Sequence, residues 1–451
     1  MNNKNDKKDA KYDVIVVGGG LAGLSCAFYA CKRGFKVLLL EKHSYLGGRT
    51  SSFFKMGMKV ESGLHRYIGY YSHLPKLLKQ CGINIKDIVT WEEKIDILVK
   101  DKNTKIVLGV APFWGPIKTI RGLLDNNDTL TLEDKLSLLK FFLMGIKDYY
   151  CNSNFDEFSV KEYASLHNIT ENAQNLILEP LSSGLFFLPM EEYSAYNFFK
   201  MFMPAIPKFY KMRVGAFCGG MTEVMCEPIG DAITAMDGTI SINEEVAAIV
   251  HNNKRVIGVR TKGNHTYFAP NVVVATPINV AKELLKSFKS SELDKLQALS
   301  TMSVCTLQID LTGPSMEKDI TTFGPGTHLV SFAEQSRSTF RGVLGRISVI
   351  IGKNQELCEY KSEELLKLVT DELNELGIDI SKKVVRCRKT TEKNEFYSLA
   401  PGNQKFRPKQ RSGIRGLILA GDYTFTSSLG TMEGAVISGK KAAKLCEKNN
   451  F

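Results

Sequence analysis

Long apolar stretches are missing from this 451-residue chain. No run reaches the roughly 18 consecutive apolar residues of a bilayer-crossing helix, so the sequence excludes an ordinary transmembrane segment. Paired metal-ligand motifs are missing too. The ten cysteines fall at irregular intervals without a Cys-x-x-Cys pair, and the seven histidines, His65 and His73 among them, have no Cys or Glu-x-x-His partner nearby. No metal site is expected, and the cysteines read as reduced thiols of a cytoplasmic, reducing compartment. Basic runs interleaved with aromatics are absent, which excludes a nucleic-acid stacking platform.

What is present describes an ordinary folded protein. Hydrophobic residues at 43% and charged residues at 24% rule out a disordered chain, and the length suggests two or three structural units. The net charge of +11 fits a solubilising surface or, alternatively, contact with an anionic membrane face or an acidic ligand. Met1 to Lys11 is polar throughout and is expected to be a floppy tail rather than a secretory signal.

The densest signal lies near the N-terminus. Tyr12 to Val17 (YDVIVV) has the composition of a strand buried on both faces of a parallel sheet, and Gly18-Gly19-Gly20-Leu21-Ala22-Gly23 follows directly. Gly18 allows a tight turn, Gly20 lets backbone approach a pyrophosphate, and Gly23 lets the next helix sit close to the strand. That helix is expected over Leu21 to Arg33 and stops at Gly34; a second buried strand, Phe35 to Leu40, ends in Glu41. A carboxylate there can accept from both ribose hydroxyls of an adenosine whose pyrophosphate rests on the positive end of the helix. A glycine turn without a ligand is the alternative.

Tyr45 to Thr50 (YLGGRT) brings a second glycine pair and an arginine back to the same place. Here the chain resembles the FAD-dependent oxidoreductases of the amine oxidase, protoporphyrinogen oxidase and carotenoid desaturase superfamily. The resemblance implies FAD as cofactor, with Gly47, Gly48, Arg49 and Thr50 at its pyrophosphate and ribityl region and Lys42 beside Glu41. Near the C-terminus, Gly416 to Ala420 reads as a buried strand closed by Gly421 and Asp422, and a helix is expected over Met432 to Lys448. Its N-terminal amides would stabilise negative charge on a flavin N1/O2 edge. The run LAGDYTFTSSLGTMEGAVISGKKAA looks like the superfamily's closing FAD motif, closest to plant and cyanobacterial phytoene desaturase-like proteins. ESGLHRYIGYY, GGMTEVMCEPIGDAI and YSLAPGNQKFRPKQRSGIRGLILAGDYT resemble the same branch.

The resemblance further implies that Asp422 bonds the ribityl or pyrophosphate region, that Met432 lies by the flavin, that Val246 offers its backbone to the adenine, and that Gly63, Leu64 and His65 border the isoalloxazine. His65 is the one candidate catalytic residue; a satisfied loop histidine, a turn-capping Asp422 and a core Met432 are the plain alternatives. The expected fold is α/β: a Rossmann-like FAD-binding domain of the glutathione-reductase type (11–70, 215–285 and 400–451), a mixed-sheet substrate domain (71–111 and 286–399), and a helical lid or membrane-facing subdomain (112–214).

Strand-like runs support the mixed sheet at 95–100, 105–110, 303–310, 327–333, 343–351 and 384–389, with a turn over Asp101 to Thr104. Thr131 with Asp134 opens a helix like a capping box, and Leu132, Leu136, Leu139, Leu143 and Ile146 recur at the spacing of one helical face. Leu185 to Tyr210, dense in aromatics and methionines, reads as lid core or as an apolar tunnel wall or membrane-dipping face. With no second Gly-x-Gly-x-x-Gly motif, the expected chemistry is substrate dehydrogenation by hydride transfer to flavin N5, with a quinone or oxygen as acceptor, and the resemblance implies a hydrophobic, polyisoprenoid substrate. Met302 to Gly313, where amine oxidases of this superfamily commonly carry a lysine, has none. Amine or porphyrinogen oxidation, or a non-catalytic flavin or lipid escort, are the alternatives.

Overall fold

The computed structural model describes residues 12–92, 94–100, 104–109, 129–252, 255–352 and 355–447. The N-terminal tail, the tip of the 95–110 hairpin at 101–103 and the first part of the helical stretch, 112–128, lie outside the described residues. Five parallel strands form the central sheet in the order Thr239–Ser241, Val37–Leu40, Val14–Val17, Asn271–Val274 and Leu417–Leu419. Their side chains alternate between two apolar layers, which is why both parities of each strand are hydrophobic. Val14 and Val16 pack with Leu24 and Val436 of the helices Leu21–Cys31 and Met432–Leu445. Ile15 and Val17 belong instead to the cluster holding Val256 and Val259, from the antiparallel sheet Val246–Asn252, Arg255–Thr261 and Thr266–Phe268. Thr239–Ser241 and Val246–Asn252, close in sequence, thus belong to two different sheets.

The N- and C-terminal helices meet closely. A side chain at Gly439 would overlap the Ala22 carbonyl oxygen, and Ser25 Oγ donates to the Val436 carbonyl at 2.9 Å. This contact joins the N- and C-terminal helices within the apolar layer on one face of the sheet.

A seven-stranded mixed sheet runs in the order Val384–Tyr397, Thr301–Leu311, Gly345–Ile351, Leu329–Glu334, Thr322–Phe323, Lys94–Val99 and Thr104–Gly109. Its last long strand continues well beyond the expected end at Arg388–Lys389 and carries Thr390, Glu392 and Phe396 onto the sheet. One ion pair inside this sheet is fully enclosed: the Arg346 guanidinium donates through Nε to Asp310 and through Nη1 to the Lys59 carbonyl at 2.9 Å. The capping box is present, with Asp134 N donating to Thr131 Oγ1 at 3.1 Å and Thr131 N to Asp134 at 2.8 Å, at the start of Leu132–Cys151.

Leu138, Phe141 and Gly145 form the buried face of that helix, and a side chain at Gly145 would strike the Phe199 ring. The leucine series Leu132, Leu136, Leu139 and Leu143 therefore points outward, 56–68% exposed. Within the stretch Leu185 to Tyr210 several aromatics face inward, while Ile206 is exposed. Phe186, Phe198 and Phe199 are buried, and the aromatic-rich helix Ala195–Phe202 packs on Leu132–Cys151. The outward apolar surface belongs to the neighbouring helix because these aromatics fill the core beneath it.

Candidate functional site

The first strand ends at a turn that only glycine can make. Gly18 has φ +106°, and a side chain at Gly23 would overlap the Gly18 carbonyl oxygen, so helix Leu21–Cys31 begins directly against the strand end. That helix starts at Gly20 with no side-chain cap and no acidic residue in its first turn, leaving its positive end open to an anion. Gly47 and Gly48, at φ +124° and +56°, return the second glycine pair to it, and Gly20 and Gly47 form an isolated parallel bridge. Glu41 closes the turn: its carboxylate accepts Gly19 N–H at 2.6 Å and His43 N–H at 2.8 Å.

The two halves of the chain join through Arg49, whose Nη2 donates to Asp422 at 2.6 Å. Burial works against the guanidinium's charge, but Asp422 holds its pKa above the ordinary arginine value. The same guanidinium lies over the Phe396 ring, 4.5 Å from its centroid. His65 Nε2–H donates to the Arg49 carbonyl at 2.9 Å, and Nδ1 stands 3.5 Å from the buried Glu61 carboxylate. This geometry gives His65 an anchoring role on the Arg49 loop. At helix Met432–Leu445 the expected bundle of free amides is partly used, since Thr431 Oγ1 accepts Gly434 N–H at 3.1 Å. Glu433 turns aside to accept Ser72, His73 and Leu74 N–H at 2.8–2.9 Å.

One cavity of about 1150 Å³ gathers nearly all the residues singled out in the sequence. Gly18, Gly20, Leu21, Ala22, Glu41, Lys42, Gly47, Gly48, Arg49 and Thr50 line it from the N-terminal side, with Gly63, Leu64 and His65 after them. Val246, Gly421, Asp422 and Met432 line it from the rest of the chain; Gly23 stands behind the wall, packed on the glycine turn. The void exceeds the roughly 300–1,000 Å³ of a pocket for one drug-sized ligand, so it can take a large cofactor. Two hydroxyls on its wall, Thr276 Oγ1 and Thr306 Oγ1, are buried without a hydrogen-bond partner. Orphan polar groups of this kind call for a polar ligand. Glycine cradle, open helix end, ribose-side carboxylate and unpaired hydroxyls together fit FAD.

Other parts of the wall were given no role in the sequence reading. Arg66 donates to Thr321 Oγ1 at 3.0 Å and pairs with Glu92 at 3.0 Å and Asp319 at 2.5 Å. Glu392 and Glu395 also line the cavity, and Asn394, a residue type that tolerates a left-handed backbone and here has φ +55°, was the available signal for the irregular backbone between them. Among the described residues no group of three or more His, Cys, Asp or Glu could hold a metal ion, and no helix is long and apolar enough to cross a membrane.

Fold and cradle define an FAD-dependent oxidoreductase, and comparison with known proteins gives its family. Residues 21–446 match the family model of flavin containing amine oxidoreductases, and the chain belongs to that family. It is 27% identical over 464 residues to 15-cis-phytoene desaturase of Synechococcus elongatus, covering 96% of this chain and 95% of that protein. Identity to zeta-carotene desaturase of Arabidopsis thaliana is 22% over 486 residues, with 98% and 86% covered. Among solved structures, cyclohexylamine oxidase from Brevibacterium oxydans superposes with a TM-score of 0.68 at 18% identity, covering 96% of this chain and 98% of that one. An oxidoreductase from Methanosarcina mazei does so with a TM-score of 0.74 at 17% identity, covering 96% and 100%. At these identities the solved structures bear on the fold.

Proposed function

We propose that the protein dehydrogenates a long, apolar polyisoprenoid of the carotenoid type, converting a C–C single bond to a double bond. The observation that carries this reading is the wall of the cavity beyond the cofactor cradle. There Leu138, Phe142, Ile177, Leu181, Phe186 and Phe202 offer continuous apolar surface that suits a long hydrocarbon. The sheet face beside it supports the same choice. Met302, Val304 and Thr306 face the cavity from the strand where an amine oxidase of this superfamily commonly carries lysine.

Bound FAD supplies a two-electron acceptor for hydride. The chain's own work is to hold and orient: the Glu41 and Gly18–Gly23 segment fixes one end of the site, Arg49 with Asp422 the middle, and the apolar wall aligns the substrate and excludes water. The apolar route supports delivery from a lipid surface, because exposed Leu132, Leu136 and Leu139 also line the cavity. A quinone or oxygen as terminal acceptor is consistent with a chain that has a single dinucleotide motif.

The test is product formation. Purified protein is mixed with phytoene in liposomes and a soluble quinone, and the extracted polyene is followed by chromatography and absorbance. A product with a longer conjugated chromophore is expected. Unchanged phytoene, alongside turnover of simple amines or porphyrinogen, would overturn the reading.

A further inference from the structure

Behind the cofactor side of the cavity sits a buried cation with no acid paired to it. Arg407 follows the short turn Gln404–Phe406, and Pro408 keeps it extended, with φ −69° and ψ 115°. Only 3% of the residue is exposed. Its guanidinium donates through Nη2 to the carbonyls of Asp422 at 2.8 Å and Thr424 at 2.6 Å, and through Nη1 and Nη2 to that of Ser428 at 3.3 and 3.2 Å. Nε reaches the Tyr423 carbonyl at 3.4 Å, and Nη1 the Gln404 amide oxygen at 3.2 Å. All of these acceptors are neutral, and among the described residues no carboxylate pairs with Arg407. Carbonyl dipoles satisfy the donors but do not cancel the charge.

Those bonds fasten one loop. It runs from Asp422 to Ser428 and leads into Gly430, Thr431 and Met432, which line the cavity together with Asp422. The neighbouring segment adds to the grip, since the Pro408 carbonyl accepts Phe425 N–H at 2.7 Å and Gln410 Nε2 donates to Thr424 Oγ1 at 2.9 Å. Arg407 stands one residue behind the wall. Its Cζ is 5.0 Å from the centroid of the Tyr397 ring, and Tyr397, like Asp422, lines the cavity.

The charges around it leave its own standing. The Asp422 carboxylate is taken by Arg49, and that of Asp156 accepts Ser194 Oγ–H at 2.6 Å and Gln404 N–H at 3.0 Å. Lys200, buried with its Nζ over the Tyr196 and Phe425 rings, is pushed down to about 7 by burial and then by the Arg407 charge, against the pull of Asp156. The second of those causes is the effect of an uncancelled cation nearby.

We propose that Arg407 is a positioning residue of the cofactor site with two effects: it fixes the 422–428 loop, and its unpaired charge favours the negative charge that hydride transfer brings to FAD in the cavity. This inference rests on the FAD reading of that cavity. The transfer balances as follows: one substrate carbon gives up a hydride to the flavin, the adjacent carbon releases a proton to solvent, and the electron pair left behind closes the double bond. The flavin thereby gains one negative charge, and a cation beside the site favours that outcome. A unit charge about 10 Å away, at an effective dielectric constant of about 20, biases such an equilibrium on the order of tenfold.

The experiment is redox titration of FAD bound to the full-length protein, read by flavin absorbance against a dye of known potential, for the parent, Arg407→Gln and Arg407→Lys at one pH. FAD in the parent is expected to be easier to reduce than free FAD. Arg407→Gln should make it about tenfold harder to reduce, about 30 mV lower for a two-electron couple. Arg407→Lys keeps the charge and loses the planar fork, so it should stay within about twofold of the parent. A residue that only holds the loop would shift both variants alike or neither, and either result overturns the proposal. If Arg407→Gln does not fold, the other two proteins decide: FAD in the parent no easier to reduce than free FAD, or a lysine variant about tenfold harder to reduce than the parent, overturns it. A parent that takes up no FAD would instead overturn the cofactor reading beneath it.

Discussion

Glu41→Gln is the sharpest perturbation of the cradle, because it keeps the shape and removes only the charge and one acceptor. Both Glu41 oxygens accept backbone N–H groups, Gly19 at 2.6 Å and His43 at 2.8 Å. An amide has one oxygen, so its NH2 must face one of those N–H donors and that bond is lost. A hydrogen bond to a charged acceptor contributes about 1.5–3 kcal/mol, and Gly19 lies inside the turn that positions the glycine cradle. If the loss falls on cofactor binding, FAD affinity drops by roughly 10- to 100-fold. Flavin fluorescence quenching on titrating FAD into the deflavinated variant measures this, with urea unfolding as the check on folding. A folded Glu41→Gln protein that binds FAD within about twofold of the parent would refute the argument that Glu41 organises the turn for the dinucleotide.

Asp310→Ala leaves the enclosed Arg346 guanidinium without its carboxylate and should destabilise the protein by about 3–5 kcal/mol in chemical denaturation, with Asp310→Asn costing less. Leu136→Ser combined with Leu139→Ser should reduce sedimentation with anionic liposomes while leaving stability within about 0.5 kcal/mol and FAD content unchanged; equal sedimentation of parent and variant would remove the lipid-surface route. Burial opposes the Asp134 charge, but donors from Thr170, Asn172 and Thr131 hold its pKa below the ordinary carboxylate value. Its contribution is therefore present above the unfolded-state value of about 3.9 and lost as pH falls through the folded value. Asp134→Asn should flatten that part of the acid unfolding profile followed by circular dichroism.

Legibility in the sequence tracked locality. The strand, glycine turn and helix from Val14 to Cys31 could be read because each feature is dictated by residues a few positions away, and the capping box at Thr131 likewise. Helix Met432–Leu445 was legible for the same reason, whereas its packing on the N-terminal helix and the Arg49–Asp422 pair join residues hundreds of positions apart and only the structure shows them. The orientation of the leucine series was not legible. Periodicity identifies an apolar face, but whether it turns inward depends on what else fills the core, and here Phe141 and Phe199 take that place. Glu392 and Glu395 were hidden for a related reason: a strand bulge against Ser303 decides which side they face, and only the pairing register shows it.

The central claim is that one cavity, walled by both ends of the chain, holds FAD beside an apolar substrate. Anaerobic mixing of the FAD-loaded protein with phytoene, squalene-type alcohols, porphyrinogen and simple amines tests it most directly. Bleaching of the flavin absorbance by the polyisoprenoid, and not by amines, is the predicted result; bleaching by amines alone, or by none of the panel, would contradict the account.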